Sequence, residues 1–262
     1  MRVAAPRTAV RLVLGVMLAA VGPASIADAA SPGSGFIYQR NKPAAFESSH
    51  TFQLRGTRNA DGSCHYDYPT LSVPAGQTVW EARDIAIDPV KCIKLLEEGR
   101  PTATTADVAG DGKLTATADQ AGVASPAALA TSGVASGYHW VWWEDVLGIK
   151  LTQDKTYISW NYDGHCAGSG STSGEWTWST GLHWEIVSYS ANEYESCSYY
   201  RGESKSKFRD SWFCAPLPTV YTYYYSVRAF GYEDGTIYGT RSTDSADECA
   251  PLWMHYQVKK TT

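Results

Sequence analysis

Between residues 138 and 258, large apolar side chains return at every second position, run after run. Ile158, Trp160 and Tyr162 share one parity, as do Trp176 and Trp178. Leu182, Trp184 and Ile186 form another such set, with His183, Glu185 and Val187 on the opposite parity. Tyr221, Tyr223, Tyr225, Val227 and Ala229 read as one face of a long strand, and Leu252, Met254, Tyr256 and Val258 as one face of a last strand. A period of two places alternate side chains on opposite faces of a strand, whereas a helix needs apolar residues three to four apart. Asp163-Gly164 and Asp234-Gly235 follow or separate such runs and signal tight hairpins. The expected fold is mainly β, an antiparallel sandwich or barrel, and alternation does not choose between the two.

Composition divides the remainder. Residues 30–100 read as a small N-terminal β unit. Phe52 and Leu54 alternate with polar neighbours, and a second run begins at Gly76 and continues through Val79, Trp80, Ile85 and Ile87. One short helix is expected after it. Asp88 suits its N-cap, Pro89 its first turn and Gly99 its end, while Val90, Ile93 and Leu96 follow helical spacing. Residues 101–137 are rich in Ala, Thr, Gly and Ser and read as a flexible linker or long loop. Residues 138–262 hold most of the aromatic side chains and form the expected C-terminal β domain.

Residues 1–29 have the pattern of a secretory signal peptide. Arg2, Arg7 and Arg11 precede a short apolar run, and Ala27-Asp28-Ala29 offers a cleavage site. The apolar run is about half of the roughly 20 residues that a bilayer span needs, so no membrane insertion is expected. Removing three Arg and one Asp moves the formal charge from -5 to -7. An acidic chain without cationic clusters disfavours nucleic acid as a partner. All six cysteines, Cys64, Cys92, Cys166, Cys197, Cys214 and Cys249, follow the cut. In an exported chain that even count reads as disulfides, expected here in sequential pairs. No two of them have zinc-ligand spacing.

Four patterns bear on chemistry. The segment 107–115, with Asp107, Asp111, Gly112 and Leu114, is similar to the calcium loops of EF-hands and dockerins. It lacks the third and twelfth ligands, where Ala109 and Ala118 stand, so no metal is assigned. His183 and Glu185 lie two apart on one expected strand face, about 7 Å from one another. His139 and Glu144 add a second His and carboxylate, but no third member completes a catalytic group. The serine-rich run 168–174 carries no nucleophile motif and reads as a mobile loop. Trp140, Trp142, Trp176 and Trp178 are the candidate binding residues, because flat rings on a sheet face stack against sugars.

The series Asp88-Pro89-Val90-Lys91-Cys92, then Trp160-Asn161-Tyr162-Asp163-Gly164-His165-Cys166, then Trp212-Phe213-Cys214 and finally Cys249 resembles a group of secreted actinomycete proteins with a six-cysteine, Trp- and Tyr-rich β domain. The resemblance implies export and a cysteine framework and says nothing about a reaction. The expected function is that of a secreted, extracellular, non-enzymatic binding or surface protein directed to a glycan or cell-surface component. No cofactor is indicated. The alternative is a secreted hydrolase whose site the sequence does not reveal.

Overall fold

The computed structural model describes residues 35–38, 46–60, 62, 64–102, 112–117, 133–212, 219–245 and 252–262. The expected signal peptide, Cys214, Cys249 and residues 107–111 of the calcium-like loop lie outside them. The chain runs through β1 (Ile37–Tyr38), β2 (Phe46–Arg55), β3 (Thr57–Arg58), β4 (Cys64–Asp67), β5 (Leu71–Ser72), β6 (Val79–Asp88), β7 (Ile93–Pro101) and β8 (Gly112–Thr117). It continues through β9 (Gly133–Glu144), β10 (Lys150–Tyr162), β11 (Ala167–Trp178), β12 (Glu185–Glu195), β13 (Tyr199–Asp210), β14 (Val220–Tyr232), β15 (Ile237–Ser245) and β16 (Trp253–Lys260).

These strands form two antiparallel sheets. The first has the order β2-β7-β6-β16-β9-β10-β11-β8, with β1 also beside β6; the second has the order β12-β13-β14-β15-β4-β3, with β5 also beside β15. The sheets pack face to face as a sandwich, and neither closes into a barrel. Strand β16 lies between β6 and β9, and β4 and β5 lie beside β15. Strands from both sides of the 101–137 stretch therefore share each sheet, and β8 and the start of β9 come from that stretch itself.

Alternation decides what enters the interior. On β9 and β10, Val141, Trp143, Ile158 and Trp160 face the second sheet, which returns Tyr200, Phe208, Tyr224 and Val227. Trp160 lies flat against Gly231, where an added Cβ would come within 2.2 Å of the ring. Its indole N–H donates to the carbonyl oxygen of Tyr232 at 3.0 Å. Both Asp-Gly pairs make the expected hairpins, Asp163-Gly164 between β10 and β11 and Asp234-Gly235 between β14 and β15, each glycine having positive φ.

Four expectations are corrected. The helix after Asp88 is a turn followed by β7. Asp88 Oδ1 accepts the backbone N–H groups of Val90 and Lys91, closing the turn that its side chain was expected to use as a helix cap. Pairing of β7 with β2 and β6 then overrides the helical spacing. The serine-rich run 168–174 is the body of β11, with Gly170 seated against the carbonyl oxygen of Ser159. The expected strand at 182–187 begins only at Glu185, because Thr180–Leu182 form a 3-10 turn and His183 is left-handed. Finally, β14 shifts register between Tyr224 and Ser226, so Tyr221, Tyr223 and Tyr225 face outward while Val227 and Ala229 face inward. An inserted residue changes the parity of everything beyond it.

Disulfides join Cys64 to Cys92 and Cys166 to Cys197. The first ties the β6–β7 turn to β4. The second joins the loop after β10 to that after β12. No helix among the described residues is long and apolar enough to cross a membrane.

Candidate functional site

The four candidate tryptophans are not an exposed platform. Trp176 is enclosed between the sheets, with its N–H donating to Asp154 Oδ2 at 3.0 Å, and Trp178 is partly buried against the same core. Trp140 and Trp142 do lie on the opposite, outer face of the first sheet, yet they are only 1% and 0% exposed. Paired positions across this sheet run Glu97, Arg83, His255, Trp142, Gln153, Thr177 and Lys113. The neighbouring row runs Glu81, Gln257, Trp140, Lys155 and Glu175.

Within these rows the rings are fully engaged. Trp142 stacks on His255 with 5.2 Å between centroids, and its N–H donates to Glu144 Oε1 at 2.9 Å. Trp140 donates to Gln153 Oε1 at 3.1 Å. Lys150 Nζ lies 4.1 Å above the Trp140 ring, and Lys155 Nζ 4.3 Å above that of Tyr138. A cation over a desolvated ring is worth about 2 kcal/mol. This face is a buried charge-and-ring layer.

The candidate acid–base pairs do not converge either. His183 sits in the turn before β12 with its ring 5.7 Å from that of Trp212, whereas Glu185 pairs with Arg209 across β12 and β13. His139 is buried between the sheets, where burial and then the charge of Arg241 push its pKa down to about 3. Glu144 lies on the other face of the same strand, against His255 at 3.3 Å. Among the described residues no group of three or more His, Cys, Asp or Glu side chains is disposed to hold a metal ion.

The outer face of the second sheet differs. Tyr221, Tyr223 and Tyr225 project from it with ring centroids 5.7 and 5.6 Å apart, the latter pair nearly parallel. Lys207 of β13 lies over the first two rings, at 4.4 and 4.9 Å. Tyr225 is well exposed, and the others are half-buried. Around them the strands bring Arg201, Lys205, Lys207, Arg209 and Arg228 to one face, against Asp67, Glu185 and Glu203. Glu203 pairs with Arg228 at 2.9 Å. Among the described side chains cations are in excess on this face, although the chain as a whole is acidic.

A sequence reading centred on tryptophan passes over this surface. Its signal is the spacing of Lys205, Lys207 and Arg209, every second residue, which marks the solvent face of β13 and hence of its partner β14. No known family model matches this chain, and neither curated proteins nor solved structures yield a match.

Proposed function

We propose that the mature chain is an exported, non-enzymatic binding protein that holds an extracellular glycan against the outer face of its second sheet. The supporting observation is the Tyr221-Tyr223-Tyr225 ladder beside Lys207. Rings supply apolar contact for sugar faces, and neighbouring Lys and Arg side chains donate hydrogen bonds to hydroxyl and carboxylate groups. The excess of cations favours an anionic polysaccharide over a neutral one. Disulfides suit an oxidising compartment, and the basic N-terminal segment with its Ala27-Asp28-Ala29 site suits export.

The test is a binding screen of the purified mature protein against neutral and anionic polysaccharides. Binding to anionic members, weakened at least tenfold by Tyr223→Ala or Lys207→Glu, is expected. No binding across a broad panel removes the glycan reading.

A further inference from the structure

Asp84 on β6 and Lys94 on β7 face the interior, and both side chains are wholly enclosed. Lys94 Nζ stands 2.6 Å from Asp84 Oδ2. The rings of Tyr66 and Trp143 lie 4.6 and 4.8 Å from that nitrogen, and the Tyr68 hydroxyl lies 2.9 Å away. Asp84 Oδ2 also accepts the backbone N–H of Met254 at 3.1 Å, while Oδ1 has no hydrogen-bond partner. An amine and a carboxyl are thus held in contact inside an aromatic box.

Two charges enclosed in this way carry a heavy desolvation cost, and an oxygen without a donor adds to it. The ion pair and the neutral pair, amine and carboxylic acid, differ by one proton transfer along this 2.6 Å contact. A neutral amine is a nucleophile, and fixed contact with its electrophile replaces an improbable encounter.

We propose that Lys94 and Asp84 condense after folding into an isopeptide bond that ties β6 to β7. The proton first passes from the ammonium to the carboxylate. The Nζ lone pair then adds to Asp84 Cγ, so a C–N bond forms and one C–O bond breaks. The departing oxygen leaves as water, carrying the carboxyl proton and one amine proton, and the Tyr68 hydroxyl is placed to relay the latter. Nothing is oxidised or reduced. Two buried charges become one neutral amide.

Mass spectrometry of the mature protein, denatured and with its disulfides reduced, reads the bond directly. The expected mass is lower than the sequence mass by one water, and the Lys94→Met variant shows the full sequence mass. Trypsin cuts at Lys91, between the two residues, so the cross-link yields a branched peptide holding both flanks with Lys94 uncut. This mapping uses the wild-type protein and does not depend on how the variant folds. Full sequence mass in the wild type overturns the proposal. So does a missing water that persists in Lys94→Met, or one that maps to Asp163-Gly164 or Asp234-Gly235, where ring closure of an Asp-Gly pair loses the same mass.

Discussion

Asp154 Oδ2 accepts the indole N–H of Trp176 at 3.0 Å in the middle of the sandwich. The hydroxyl of Ser206 donates to the same oxygen at 2.6 Å, and that of Ser204 donates to Oδ1. Burial pushes the carboxyl pKa up to about 7 against the pull of these three donors. A folded pKa above the unfolded 3.8 means that the fold prefers the protonated form. The associated stability is complete below pH 3.8 and is lost as pH rises through 7, a range worth up to about 4 kcal/mol. Asp154→Asn removes that loss, so urea midpoints measured across this range should move in favour of the variant as pH rises.

His139 runs the other way. Its Nδ1 donates to the carbonyl oxygen of Arg228 at 3.1 Å, and burial holds the ring neutral, with a pKa of about 3 against 6.5 when unfolded. Stability from this residue is complete above pH 6.5 and is lost as pH falls through 3, amounting to up to about 5 kcal/mol. Denaturation followed between these limits should show a shallower acid loss in His139→Gln than in the wild type. An unchanged slope would mean that His139 does not set it.

Gly231 is needed for its missing side chain. A methyl group there would meet the ring of Trp160, itself buried in the core, at 2.2 Å. Gly231→Ala should cost about 1–3 kcal/mol as overpacking. Thermal unfolding measures it.

Rings on the two outer faces should separate stability from binding. Trp142, buried under His255 and Lys150, should lose about 3–5 kcal/mol on change to Ala. Tyr225, largely exposed at the end of its ladder, should lose about 1 kcal/mol or less. If the glycan reading holds, only the second change weakens polysaccharide affinity in a protein of near wild-type melting temperature.

Much of the fold was legible because local physics repeats along the chain. The two-residue period of Trp160 and Tyr162, or of Met254 and Tyr256, specifies strands wherever they end up, and Asp-Gly pairs turn the chain locally. The pairs Cys64–Cys92 and Cys166–Cys197 follow the sequential order expected. The segment after Asp88 misled because Val90, Ile93 and Leu96 fit a helix, while its strand partners lie on β2 and β6. The aromatic site misled for a related reason. Trp140 and Tyr223 belong to equally regular alternations, and nothing within either strand says which face neighbouring side chains will cover.

The sequence alone determined that the chain makes strands, where it turns and which side chains share a parity, since each depends on neighbours a few residues away. Only tertiary structure decided that Trp140, Trp142 and Trp176 are enclosed, that one residue inserted near Tyr225 turns three tyrosines outward, and that Lys94 meets Asp84. Those outcomes depend on strands such as β16, which arrives between β6 and β9 from far along the chain, and burial follows from that arrival rather than from local pattern.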